Sequence, residues 1–181
     1  MKKLVLLTIS LLLATIGVLA QTDVTSQYLT NADFSTGWTT SNIGNNTVAN
    51  VEGWTGTSTG DTWFYGGAIS YAGGVTLNSV TVSSNPDGGT TGGALGLSAG
   101  WGCTVRYTQA VTLTPGRYRI SYKAYNGNND AHQLYNYIGF VEEGGTTHYG
   151  KINNFIPGTW MEESISVELT ATTSGNISVG I

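Results

Sequence analysis

The feature that most constrains this chain is a rhythm of short runs in which apolar and polar residues alternate, each closed by turn-forming residues. Such runs lie at Val75–Val82, Ala94–Ser98, Val105–Leu113, Arg117–Tyr125, Gln133–Glu142, Thr147–Lys151 and Ser164–Leu169. Pro115-Gly116, Asn126-Gly127, Gly144-Gly145 and Pro157-Gly158 punctuate them. A period of two puts successive side chains on opposite faces of a strand, and Gly, Pro and Asn pairs supply the reversals between strands. After Ala20 no segment carries apolar residues at the helical spacing over three turns. The expectation is an all-β sandwich or barrel with almost no helix.

Within this rhythm the faces can be assigned. Tyr118, Ile120, Tyr122 and Ala124 share one face and form core, while Arg119, Ser121, Lys123 and Tyr125 share the other. In the next run Leu134, Asn136, Ile138 and Phe140 alternate with Tyr135, Tyr137 and Val141, which places two tyrosines outward. Residues 36–74 break the pattern. They are rich in Gly, Thr, Ser and Asn with Trp38, Trp54, Trp63, Phe64 and Tyr65 interspersed, and read as irregular loops with short strands.

The N-terminus sets the destination. Lys2 and Lys3 precede an uncharged apolar run from Leu4 to Leu19 that ends at Ala20-Gln21, the pattern of a secretory signal peptide cleaved after residue 20. No cysteine stands near the boundary to take a lipid, and no other stretch could span a bilayer. A secreted protein is expected, periplasmic, cell-surface or extracellular, with residues 21–181 as one domain and no membrane attachment after cleavage. Loss of Lys2 and Lys3 leaves the chain two charges more negative than its full-length −4, which argues against nucleic acid as a partner. Charged residues make up 10% of the chain against about 25% in ordinary soluble domains, so the surface is neutral and hydroxyl-rich. Five Trp, ten Tyr and four Phe still provide the apolar area for a core. Cys103 is the single cysteine, so stability cannot rest on an internal disulfide, and it reads as a small buried apolar residue.

Catalytic constellations are not apparent. Glu142-Glu143 runs into Gly144-Gly145 as a solvated turn, and Glu162-Glu163 reads as surface charge at a strand entrance. No two carboxylates are paired by any sequence signal, as a glycosidase would need. His132 and His148 lack a second ligand at zinc spacing, and no Gly-x-Ser-x-Gly elbow occurs. An enzyme in this segment is not expected.

Three segments carry a resemblance. Tyr28–Phe34 followed by Gly37-Trp38, the stretch Gln109–Tyr122, and Gly158-Thr159-Trp160 with Val167–Thr170 and Gly175-Asn176-Ile177 are together similar to jelly-roll domains of the galactose-binding-like superfamily. Val51-Glu52-Gly53-Trp54 adds to a resemblance to secreted Bacteroidetes-type proteins. The resemblance implies a jelly-roll β-sandwich, a central hairpin turned at Pro115-Gly116 with Gly116 at φ > 0, and core roles for Trp38 and Trp160. It also leaves room for a structural calcium, with Asp33 as the candidate ligand, and no other cofactor. The alternating run Gly175–Ile181 reads as a terminal strand with an unpaired edge and the domain as lacking its closing strand, so further domains of the same chain are expected downstream.

For binding a glycan, such a fold needs an aromatic face to stack on a pyranose and polar side chains to fix its hydroxyls. The outward set Arg119, Lys123, Tyr125, Tyr135 and Tyr137 has that makeup if the two strands are neighbours, with Trp101 and Trp63 as exposed loop tryptophans. A noncatalytic carbohydrate-binding module is the leading expectation. An architectural or adhesive sandwich domain is the second, and a jelly-roll lyase or hydrolase, which would need Arg119, Tyr137, His132 and an acid to converge in one groove, the third.

Overall fold

The computed structural model describes residues 21–37, 46–60, 63–72, 76–77, 80–82, 84–100, 102–126 and 137–181. The expected signal peptide, residues 1–20, lies outside them. The described residues hold one helical turn, α1 (Thr25–Tyr28), and strands β1 (Thr47–Val48), β2 (Thr55–Thr59), β3 (Phe64–Ser70), β4 (Thr76–Leu77), β5 (Val80–Thr81), β6 (Gly93–Ala99), β7 (Thr104–Leu113), β8 (Gly116–Tyr125), β9 (Tyr137–Glu142), β10 (Thr147–Gly150), β11 (Trp160–Leu169) and β12 (Thr173–Gly180). None of the described helices is long and apolar enough to cross a membrane.

The strands form an all-β sandwich. One layer is a five-stranded antiparallel sheet in the order β10-β9-β12-β7-β2. Facing it are two smaller sheets, β1-β3-β6 and β8-β11. β4 and β5, both within the expected run Val75–Val82, pair with each other antiparallel as a separate two-stranded sheet, so that run is not one strand.

Alternation drives this arrangement. On β7, Val105, Tyr107, Gln109, Val111 and Leu113 are buried while Thr104, Arg106, Ala110 and Thr112 are exposed. On β11, Ile165, Val167 and Leu169 are buried opposite Ile120, Tyr118 and Gly116 of β8. These residues join Phe64, Ala68, Ile138, Phe140 and Ile177 in one core between the layers. Each fully buried aliphatic or aromatic side chain contributes roughly 1.5–3 kcal/mol.

Tyr107 is the centre of that core and is fully inaccessible. Its ring lies between two glycines, one from each layer. A Cβ on Gly56 would come within 2.8 Å of one ring edge, and a Cβ on Gly66 within 2.8 Å of the other. The phenol donates to the Ala49 carbonyl at 2.7 Å. Burial pushes its pKa up to about 12.

The opening segment is tied to the same strand. Gln109, buried on the core face of β7, accepts from the Thr30 amide at 2.6 Å and donates to the carbonyls of Thr30 and Gly53 at 2.9 and 2.7 Å. A buried amide with these bonds satisfied fixes one chain path over the core. Trp54 donates to the Asn31 carbonyl at 3.2 Å and packs on Phe34.

Four expectations need correction. Residues 64–70, read as part of an irregular region, form β3, every residue of which is buried. Its Gly66-Gly67 pair hides it from propensity, yet Gly66 is what admits the Tyr107 ring. Thr114-Pro115 does not turn a hairpin: β7 and β8 belong to different sheets, and Gly116 is not among the positive-φ glycines. The link is an arch across the sandwich, in which Gly116 already pairs with Leu169. Gly175–Ile181 is no unpaired edge either, because β12 sits inside its sheet with β7 on one side and β9 on the other. Lastly, Cys103 is half-buried rather than buried.

Candidate functional site

A cleft of about 2510 Å³ opens between β6 and β8, the facing edges of the two smaller sheets. Its floor is the inner face of the five-stranded sheet, including Val111 and Leu113 of β7 and Ile177 and Val179 of β12. Leu95, Leu97, Tyr118 and Ile120 line its walls and are only partly buried. At one end of its mouth stand Tyr125 and Trp160.

Register explains that pair. Trp160 opens β11 directly opposite Tyr125 at the end of β8, and the two rings meet at 5.5 Å between centroids. The indole is held from behind by an edge contact with buried Tyr71 at 6.2 Å and by its Nε1–H, which donates to the Ser84 carbonyl at 3.2 Å. Both rings remain partly accessible. The next outward positions on the same two strands carry charge, as the period of two requires. Lys123 lies 3.6 Å from Asp87, Arg119 2.9 Å from Glu162, and Arg117 3.3 Å from Glu168.

Asp87 reaches the mouth because Asn85 organises its loop. The Asn85 side chain accepts from the amides of Asp87 and Gly89 at 3.1 and 2.8 Å and donates to the Thr91 carbonyl at 3.2 Å. Gly88 and Gly92, both at φ +85°, allow the bends on either side. All three ion pairs are substantially solvent-exposed, so each contributes under about 1 kcal/mol and can exchange partners cheaply. The mouth therefore offers two aromatic rings beside donors and acceptors that a polyhydroxy ligand can recruit.

The structure divides the predicted set. Arg119, Lys123 and Tyr125 line this cleft together. Tyr137 lines the same cleft, but from β9 in the five-stranded sheet, which does not pair with β8. On the outer side of the five-stranded sheet Tyr137 reaches across Gly180 of β12. Its hydroxyl accepts from Arg106 Nε, and its ring lies 5.6 Å from the guanidinium carbon. Gly180 makes this reach feasible, because a Cβ there would fall 2.8 Å from the tyrosine oxygen. Trp63 is exposed as expected, at 67%, but is not among the residues lining the cleft. Trp101, Tyr135, Trp38 and His132 lie outside the described residues.

Two residues assigned to structural or surface roles have more to do. Trp160, expected in the core, is half-buried at the cleft mouth. Glu142, expected in a solvated turn, points inward and pairs with His148 at 2.7 Å, while His148 stacks on Phe140. Sequence reasoning also missed Asp87 and Asn85, whose position depends on a loop meeting a strand distant in sequence. Among the described residues no group of three His, Cys, Asp or Glu could hold a metal ion, and the Asp33 carboxylate accepts from the Ser35 amide at 3.2 Å.

Comparison with family models, with curated proteins and with solved structures finds no match for the chain.

Proposed function

We propose that this chain is a noncatalytic carbohydrate-binding module of an exported protein, built on a galactose-binding-like jelly roll. The observation that supports it most is the Tyr125–Trp160 pair at the cleft mouth, flanked by Lys123–Asp87 and Arg119–Glu162. A pyranose has an apolar face that stacks on an aromatic ring and hydroxyls that take charge-assisted hydrogen bonds. The low charge of the chain leaves little to repel or attract anything but a neutral ligand. The site recognises a polysaccharide or glycan through this rim, and its weak ion pairs exchange for ligand hydroxyls on binding.

Screening the purified protein on plant and host polysaccharides by affinity gel and glycan array tests the reading. Retardation by at least one neutral polysaccharide is expected, and no binding to any member of either panel would count against it.

A second reading, an architectural domain that docks other chain segments, is favoured by one observation: the inner edges of β6 and β8 face each other across the cleft.

A further inference from the structure

As an exported module the chain is cut after Ala20, and Gln21 becomes the first residue of the mature protein. Glutamine is a reactive residue to leave at a chain end. Its side-chain amide carbon Cδ is within reach of its own α-nitrogen through a five-membered ring, so the terminal residue holds a nucleophile and an electrophile together. Asparagine would need a strained four-membered ring, and glutamate offers a carboxylate, a far weaker electrophile.

The structure keeps this end in solvent. Gln21, Thr22 and Asp23 are exposed and belong to no helix or strand. Asp23 Oδ1 accepts from the Thr25 amide at 2.9 Å, and Tyr28 ties the segment to β8 through an edge contact with the Tyr118 ring at 5.9 Å. The segment is thus held in one place while Gln21 itself stays in water. That place is the cleft, which Gln21, Thr22 and Asp23 line together with Tyr28, Arg119 and Lys123. A terminal ammonium there, with an ordinary pKa of about 8, would add a positive charge to a wall whose cations Arg119 and Lys123 already have acidic partners.

We infer that Gln21 is a modification site that closes to a neutral pyroglutamyl residue once cleavage exposes it, an inference that rests on the export of the chain and not on glycan binding. The α-nitrogen attacks Cδ, the N–Cδ bond forms as the Cδ–Nε2 bond breaks, and Nε2 leaves as ammonia with the proton that the α-nitrogen gives up. The step needs no oxidant, reductant or second substrate. It removes the terminal charge, and the lactam presents one N–H donor and one carbonyl acceptor in its place. The mature chain then brings to the cleft an uncharged amino end, suited to a neutral, hydroxyl-bearing ligand.

The test expresses the full chain, Met1–Ile181, in an exporting bacterium and reads the amino end of the recovered protein by tandem mass spectrometry and Edman degradation, beside the variant Gln21→Asn. The wild-type protein is expected to begin at residue 21, to lack the mass of one ammonia and to give no Edman signal until a pyroglutamyl peptidase has acted. Gln21→Asn should begin at the same residue with a free amine, and in electrophoresis at pH ~6 it should carry about one more positive charge than the wild type. A wild-type chain that begins at residue 21 with an open glutamine overturns the cyclisation and leaves the cleavage standing. Equal blockage of Gln21→Asn also overturns it, because the block would then not need the glutamine side chain. A chain that begins elsewhere, or keeps residues 1–20, overturns the cyclisation together with the cleavage it rests on.

Discussion

Tyr125 and Trp160 are register partners on β8 and β11, and their rings meet at the cleft mouth at an interplanar angle of 54°. Among the described residues Trp160 is anchored through Tyr71 and the Ser84 carbonyl, and both rings of the pair stay partly accessible to a ligand. Replacing Tyr125 by Ala removes ring surface without touching either anchor. Its melting temperature should fall by only a few degrees, corresponding to about 1 kcal/mol, while glycan affinity falls at least about tenfold. Calorimetric melting and affinity electrophoresis on the same preparation separate the two effects.

The clasp around Tyr107 should be intolerant of a single methyl. Gly66→Ala places a Cβ 2.8 Å from the Tyr107 ring and 2.9 Å from Val105. Neither neighbour can withdraw, because both are fully buried. A loss of about 2–4 kcal/mol is expected in urea unfolding. Gly144→Ala, in an open turn with nothing within 4 Å of the new Cβ, should cost about 1 kcal/mol from its φ of +68° alone.

Alkaline pH provides a second test of that core. Tyr107 has its pKa raised by burial to about 12, against about 10 unfolded. Between those values the folded state holds a proton that the unfolded chain has released. Stability from this group is thus complete below pH ~10 and is lost as pH rises toward ~12, by on the order of 2 kcal/mol. Tyr122, raised by burial to about 12, adds to the same trend. Denaturant titrations across this range should show the decline, and Tyr107→Phe should reduce it, leaving the part due to Tyr122, while costing about 1 kcal/mol at neutral pH for the bond to Ala49.

On the outer face, Gly180→Ala should dislodge Tyr137 from Arg106. The new Cβ would also sit 2.6 Å from the Val105 carbonyl, so the ladder must adjust. We expect about 1–2 kcal/mol of destabilisation and a shift of the Tyr137 ring resonances in NMR spectra. Unchanged ring resonances would show that Tyr137 does not depend on this glycine.

Much of the fold could be read from the sequence where a strand has one wet face. Val105–Leu113 and Arg117–Tyr125 alternate because their outward residues meet solvent, and both strands match their predicted bounds to within a residue. β3 could not be read, since all seven residues are buried and no alternation survives. Pro115-Gly116 misled because a short link can arch between sheets as readily as it turns within one. The site was half legible: Arg119, Lys123 and Tyr125 share a strand, so local parity suffices to group them. Trp160 and Asp87 join them only through long-range register and a loop built on Asn85, and neither leaves a local pattern. Tyr137 lines the cleft with them but from the other sheet, since parity gives a face but not a sheet.

The most direct measurement is a titration of the best-retarding neutral polysaccharide into the wild-type protein and into Tyr125→Ala and Trp160→Ala, each first shown to melt cooperatively. The account predicts saturable wild-type binding that weakens at least about tenfold in both variants. Wild-type affinity retained in both, or no polysaccharide bound by the folded wild-type protein, would contradict it.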